Sequence, residues 1–459
     1  MKVSFAAVVL AAVLLPDARA QQVPGRSSDS DVYSSNAANK QAVEEPAVST
    51  QQNLRRRANV SNSNSNNANV IDIIVVLKDE GRRRKLAGIG QQTSAERKAA
   101  AEENKAAASA AATSMGAVAR FTYGSALYGF AASVPFVLLK QIVADDRVAY
   151  VEEDRIVQLD PMEMGEERRR LAPPAGKGPN KDDGGGGDGD GPAQMTPWGI
   201  DRVKGGNTCA DCGKAWVIDT GIDLDHPDLN VDADPQNSVT VLGRKSTPND
   251  EHGHGTHVAG TIAAIHNEIG VVGVAAGATV VSVRVLDRQG SGSYSGVIEG
   301  IDHVGANCGS SDVANMSLGG GFSQAVNDAV KAASASCPFV LAAGNEGRDA
   351  IGSSPASANG PNIYTVSAFS NGDHWAHWSN YGNVVDYAGP GVGIHSTWKN
   401  GGYNSISGTS MAAPHLAGIL LVGEINDPIV RGDKINKEIA TEGTVKGDPD
   451  GKPDPIGVC

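Results

Sequence analysis

Several function classes are excluded by what this chain has little of. Its 39 Lys and Arg are outnumbered by 52 Asp and Glu, for a formal charge of −13. A nucleic-acid partner calls for the opposite balance, so none is expected. Five cysteines in 459 residues are too few for a disulfide-built scaffold. Cys209 and Cys212 form C-x-x-C, a pattern open to zinc or redox chemistry, but no second C-x-x-C completes a zinc module. After residues 1–20 no segment is long and apolar enough to span a bilayer, so no membrane anchor is expected. With 40% hydrophobic and 20% charged residues the rest has the composition of a globular protein.

What is present begins with an export signature. Lys2 precedes the apolar stretch 3–15, and residues 18–20 read Ala-Arg-Ala, a small-x-small cleavage site, so residues 1–20 are expected to be a signal peptide. The expected product is extracellular, secreted, soluble and monomeric. Residues 21–69 are rich in Ser, Asn and Gln, too polar to offset the entropy of ordering, and carry the sequon Asn59-Val60-Ser61. Residues 70–160 read as a small α+β domain: a β-branched strand at 71–77, an alanine-rich helix at 93–119, a second helix near 135–144 and a strand at 148–154. Residues 161–194, with Pro173-Pro174 and the run 184–191, have the composition of a flexible linker. Tribasic runs at 55–57, 82–84 and 168–170 read as solvated charge or processing signals.

Residues 195–459 form the last unit. Strands near 214–219, 279–285, 313–318 and 338–343 alternate with helices near 254–266, 293–305 and 322–335, which predicts a doubly wound α/β fold with a mostly parallel sheet. Three glycine-flanked stretches in this unit carry chemistry: Val217-Ile218-Asp219-Thr220-Gly221, His254-Gly255-Thr256-His257-Val258-Ala259-Gly260 and Gly408-Thr409-Ser410-Met411-Ala412-Ala413-Pro414. A serine is inert near neutral pH unless an imidazole takes its proton, and that imidazole needs a carboxylate to hold its tautomer. Asp219, His254 and Ser410 supply the three parts in the order that separates this arrangement from the esterase and chymotrypsin orders. Met411 and Ala412 break the G-x-S-x-G elbow, which argues against a serine esterase. His252, His254 and His257 spell H-x-H-x-x-H, not the H-E-x-x-H of a zinc peptidase, so His257 is expected to be structural. Ser410 opens an apolar helix whose first turn is expected to tolerate Pro414, and its own N–H can donate to an oxyanion.

These stretches, with Ala342-Ala343-Gly344-Asn345-Glu346-Gly347 between them, resemble the subtilisin-like serine protease family, and most of all its proteinase K branch. The resemblance covers about residues 195–425 as the peptidase domain. Over 70–160, with Gly129-Phe130-Ala131 and Val148-Ala149-Tyr150-Val151-Glu152, it covers an inhibitor-type propeptide. It implies an endopeptidase made as a self-inhibited proenzyme, with protein and peptide substrates and its own propeptide as intramolecular inhibitor. Asn345 matches the second oxyanion donor. Gly292 and Tyr294, in 290–294, and Ser317, Leu318, Gly319 and Gly320 match two edges that hold an extended substrate. Ala343 and Gly344, with the glycines at 319–321, match the walls of the pocket before the scissile bond, roomy enough for aromatic or large aliphatic residues.

No cofactor is implied for catalysis, but a structural Ca2+ is, held by Asp386 and the carbonyls of Pro361 and Ile363. Cys308 matches a bridged position with Cys212 or Cys209 as its partner, Cys337 able to take the other, and Cys459 left as the odd thiol. Val258 and Tyr364 depart from the branch, each standing where a cysteine is usual. A catalytically silent homologue acting as a binding protein would show a replaced triad residue, and none is replaced.

Overall fold

The computed structural model describes residues 70–78, 93–159, 193–423, 429–431, 434–436 and 440–459. The expected signal peptide, the Ser/Asn-rich stretch, the three tribasic runs and all but the last two residues of the expected linker lie outside the described residues.

The first module is a four-stranded antiparallel sheet in the order β2-β3-β1-β4, built from β1 (Val70–Leu77), β2 (Ala119–Tyr123), β3 (Gly129–Pro135) and β4 (Val148–Glu153). Helices α1 (Ser94–Ser114) and α2 (Phe136–Ala144) cover one face. A capping box starts α1, with Thr93 and Glu96 each satisfying the other's backbone N–H. The apolar run 73–77 of β1 has a physical reason, since both faces are covered there. Ile71, Ile73 and Val75 pack with Ala108, Ala112, Leu139 and Ile142, whereas Ile74 and Val76 pack against the second module. A short strand, β5 (Ile156–Gln158), then leaves this sheet.

In the second module the described elements that position the site are, in chain order, β6 (Ala215–Asp219), β7 (Val239–Thr240), α3 (His254–Ala263), β8 (Val280–Arg284), β9 (Ser291–Ser293), α4 (Tyr294–Asn307), β10 (Val313–Met316), α5 (Gln324–Ala333), β11 (Phe339–Ala342), β12 (Ile363–Ser370), β13 (Tyr387–Pro390), α6 (Thr409–Val422), β14 (Ala440–Thr444) and β15 (Pro455–Val458). The sheet order is β14-β15-β13-β12-β11-β10-β6-β8-β7, parallel throughout except for β14 against β15. Alternation along β6 sorts the layers. Ala215 and Val217 pack with Val258 and Ile262 of α3 and Leu416 of α6, while Trp216 and Ile218 pack with Val297 and Ile301 of α4 and Val326 of α5. From β6 the chain moves to β8 on one side and to β10, β11, β12 and β13 on the other, so the strand order reverses beside Asp219, at the carboxyl end of β6.

Two expectations are corrected here. The bridges are Cys209–Cys212 and Cys308–Cys337, not Cys308 with Cys212 or Cys209, and Cys459 is a free thiol. The reason is the sheet itself: Cys308 and Cys337 pack in the α4–α5 layer, while Cys209 and Cys212 pack in the α3–α6 layer. Pro414 is not in the first turn, because α6 begins at Thr409. The tail, for which the sequence suggested no role, extends the sheet: β15 adds in parallel to β13, and Val445 and Ile456 pack on Phe369.

Candidate active site

Asp219 ends β6, fully buried, and His254 opens α3. Their side chains meet, His254 Nδ1 lying 2.8 Å from Asp219 Oδ1 and 3.0 Å from Oδ2. The approach depends on glycine at 255, where a Cβ would stand 2.1 Å from the Gly221 carbonyl and 3.1 Å from Asp219 Cβ. Burial pushes the His254 imidazole down, but the Asp219 carboxylate and its hydrogen bond outweigh it and hold the ring above its ordinary 6.5.

A buried polar frame that sequence reasoning missed fixes this pair. Asp250 Oδ1 accepts from Thr220 Oγ1, His252 N and Gly253 N, and its Oδ2 accepts from Thr256 N and Oγ1. Thr220 Oγ1 in turn accepts from Gly255 N at 2.9 Å. One carboxylate thus serves the open N–H groups at the start of α3 and ties them to the residue after Asp219. The Asp three positions before Gly253 was the available signal.

Ser410 lies in the first turn of α6. Its hydroxyl donates to the Ser317 carbonyl at 3.1 Å, and Ser317 Oγ donates back to the Ser410 carbonyl at 2.7 Å. The second bond explains the mid-helix proline. Pro414 has no N–H for the carbonyl four residues earlier, which is that of Ser410, and the Ser317 hydroxyl takes its place. In this rotamer Ser410 is not bonded to His254, and rotation about χ1 frees the hydroxyl for the ring, a loose geometry common before substrate binds. Asn345 follows Gly344, whose φ of 102° is the left-handed turn that only glycine enters freely. Asn345 Oδ1 accepts from Thr409 N and Oγ1 at 2.8 and 2.9 Å. Since a backbone N–H can only donate, the orientation of the amide is fixed, with Oδ1 as its accepting end and Nδ2 as its donating end.

These groups border one cavity of about 410 Å³, lined by His254, Ser410, Asn345, Leu318, Gly319, Gly320, Ala343 and Gly344. Ser317 and Tyr294, expected to bind substrate, are buried and do not line it: Ser317 clamps the nucleophile from behind, and the Tyr294 hydroxyl donates to the Gly321 carbonyl. Gly292 lies in β9, which pairs antiparallel with β5 of the first module in the register Gly292 to Val157. Leu159 N then donates to the Gly290 carbonyl at 2.9 Å, and Gln158 and Leu159 border the cavity.

The three histidines of H-x-H-x-x-H do not converge. His257 Nε2 faces the Ile394 carbonyl at 3.0 Å, and burial pushes its ring down to about 3, so it stays neutral. Among the described residues no group of three or more His, Cys, Asp or Glu is placed to hold a metal. Oxygen-rich places with one carboxylate are a different matter. Asp386 Oδ2 accepts from Thr365 N at 3.0 Å, which sets the carboxylate beside the start of β12, where Ile363 stands. A second place was missed by the sequence reading. Gln194 Nε2 lies within 2.8, 3.1, 3.4 and 3.2 Å of Ile265 O, Asn267 Oδ1, Ile269 O and Val271 O. Asp228 Oδ1 accepts from Asn267 Nδ2 beside them. One amide has two N–H groups for these four oxygens, and turned over it would offer a fifth oxygen to a hard cation.

An acid, a base and a serine around an amide donor, at the carboxyl ends of a parallel sheet, define a serine hydrolase built for acyl transfer. Comparison with known proteins narrows this. Residues 216–435 match the subtilase family and residues 73–160 the peptidase inhibitor I9 family. The chain is 39% identical over 308 residues to the cuticle-degrading protease of Metarhizium anisopliae, covering 66% of this chain and 72% of that one. It is 36% identical over 356 residues to the subtilisin-like serine protease AsES of Sarocladium strictum, covering 72% and 80%. Against the alkaline serine exoprotease A of Vibrio alginolyticus it is 35% identical over 372 residues, 73% of this chain but only 63% of that one. A solved cold adapted subtilisin-like serine proteinase is 40% identical, with 48% of this chain and 82% of that chain covered and a TM-score of 0.44. The chain belongs to the subtilase family of serine proteases and carries an inhibitor I9 propeptide. No helix among the described residues is long and apolar enough to cross a membrane.

Proposed function

We propose that this chain is a secreted, monomeric endopeptidase that cuts extended protein chains through an acyl-enzyme and is held inactive by residues 70–159 until they leave. The observation that carries the reading is that His254, paired with the buried Asp219, borders the same cavity as Ser410 and Asn345. In the reaction His254 Nε2 takes the proton of Ser410 Oγ as that oxygen attacks the substrate carbonyl. Asp219 holds the Nδ1 proton and steadies the charged ring. Asn345 Nδ2 and the Ser410 N–H receive the oxyanion, and one such donor is worth about 3 to 4 kcal/mol in the transition state. His254 then protonates the leaving amine, and a water repeats the sequence to free the acid.

The pairing of β5 with β9 supports both the substrate path and the inhibition. A backbone laid along residues 290–292 gains its hydrogen bonds without regard to side chain, so broad specificity follows, with apolar side chains favoured by the walls at 318–320 and 342–344. The same edge is occupied by the propeptide's own strand. Self-cleavage would fall between Asp160 and Pro197. Calcium is assigned a structural role, at Asp386 with the Pro361 and Ile363 carbonyls or at the oxygens around Gln194, and it would add charge neutralisation there without entering the reaction. The test is a casein digest by the purified protein beside its Ser410→Ala variant, with sequencing of the amino end of the active form. Equal digestion by the two would refute the assignment, and an active form starting before Ile71 would refute the propeptide role.

A further inference from the structure

The outer face of α4 is covered by the first module, and two acids on it, Glu299 and Asp302, lie one helical turn apart. Asp302 is fully buried, and its Oδ1 accepts the backbone N–H groups of Gly124, Ser125 and Ala126 at 3.0, 2.7 and 2.7 Å. A single ammonium serves both acids: Lys105 Nζ of α1 lies 3.3 Å from Glu299 Oε1 and 3.2 Å from Asp302 Oδ2. Two carboxylates thus share one cation under a cover of protein, and Glu299 Oε2 is buried without a hydrogen-bond partner. An ionised oxygen left so is costly, and a proton on it removes most of that cost.

The other groups facing the cluster do not supply the missing positive charge. Glu102 of α1 adds repulsion at Glu299. Tyr123 of β2, raised by burial, and His303 of α4, lowered by burial, are both neutral near pH 7. Arg120 of β2 is engaged by Asp154, and Lys98 of α1 acts on His303.

We propose that Glu299 makes release of the propeptide sensitive to pH: the proton that lets it stay covered is lost as the medium turns from acid to neutral, and the covering module then leaves more readily. Burial, ahead of the neighbouring charges, pushes Glu299 from 4.5 up to about 7 in the covered state. On the bare helix it is an ordinary glutamate, at about 4.3. A group raised in the complex strengthens it fully below the free value, and that hold is lost as pH rises through the covered value. Glu152 of β4, raised by burial against the start of α5, acts in the same direction. Lys105 is itself raised from 10.5, burial opposing and Asp302 and Glu299 prevailing, and stays charged throughout.

The inference rests on the reading of residues 70–159 as inhibitor, and its test separates the two. The self-processed complex is isolated at pH 5 and moved to media from pH 5 to 8. Intact complex is followed by gel filtration, and activity on a small peptide is read in the same samples. Release from wild type should be about tenfold faster at pH 8 than at pH 5, less than the full shift allows because Glu299 is 23% exposed. In Glu299→Gln, whose amide stands in for the protonated acid, the acceleration should be under about threefold, with slower release than wild type at pH 8. Lys105→Met, on the other module, should release faster than wild type above neutrality. Matching pH profiles for wild type and Glu299→Gln, or unchanged release in Lys105→Met, would overturn the proposal. Full peptide cleavage by a complex that is still intact would overturn the inhibitor reading beneath it.

Discussion

Removing the Ser317 hydroxyl asks whether that group compensates for Pro414. In Ser317→Ala the Ser410 carbonyl loses the donor that holds it at 2.7 Å, and Asn315 Nδ2 loses an acceptor at 2.9 Å. A buried polar group left unserved costs about 1 to 3 kcal/mol, so a loss of about 2 to 3 kcal/mol is expected with both partners stranded. Pro414→Ala restores an N–H of ordinary helical geometry to the same carbonyl. In that background Ser317→Ala should cost about 1 kcal/mol less, a coupling well above the few tenths expected of independent sites. The measurement is thermal unfolding at one scan rate on the Ser410→Ala precursor, which cannot digest itself and keeps the carbonyl in question. A difference of a few degrees between the two backgrounds is expected. An additive cycle would show that the Ser317 hydroxyl does not stand in for the missing N–H.

Other expectations follow from the site. Asn345→Leu should lower kcat by about a hundredfold to a thousandfold with little change in KM, since the amide serves the oxyanion and not the bound substrate. An unchanged kcat would remove it from the oxyanion site. Activity needs His254 neutral, and Asp219 holds the ring above 6.5, so kcat should rise with pH along a limb centred above that value. A limb centred below 6.5 would contradict the pairing. Calcium at a hundredfold excess over its Kd should add about 2.7 kcal/mol to the folded state. Chelation should therefore shorten the half-life on heating more than it lowers the initial rate. Asp386→Asn and Gln194→Leu, compared in the same assay, show which oxygen set responds, and identical inactivation curves with and without calcium would dismiss both. Finally, peptide mapping of unreduced protein should link Cys308 to Cys337 and Cys209 to Cys212, leaving Cys459 to react with a thiol reagent; a cross-link between Cys308 and Cys212 would contradict the layer argument.

Much of this was legible because chemistry restricts it. Acyl transfer by a serine leaves few choices of residue, and Asp219, His254, Ser410 and Asn345 each sit beside small neighbours that announce a close approach. The runs at 215–219, 280–284 and 339–342 are mostly apolar and buried at every position because both faces of the sheet are covered, which separates them from the amphipathic stretch at 324–333. What escaped lies in long-range pairing. Asp250 is an ordinary loop acid until Thr220 and Thr256 are brought to it. Ser317 looks like part of a substrate edge, and its bond to a residue 93 positions away has no local signature. The cysteine pairing turned on which side of the sheet each residue faces, a fact the spacing does not carry. Nor does a tail with Pro449, Pro453 and Pro455 resemble sheet, yet β15 seats Ile456 beside Ala388.

The two-sided burial of β1 has a consequence for the life of the propeptide after cleavage. While docked, Ile74, Val76 and Ala131 are covered by α4 and α5, and only the opposite face is closed by the module's own helices. Once detached, that sheet carries one bare apolar face on a domain with little interior to spare. A fragment in that condition is expected to open often, and an opened chain beside a protease is expected to be cut. Departure and destruction would thereby be linked: the surface that suits the fragment to cover the enzyme would make it a poor survivor, and activation would run in one direction.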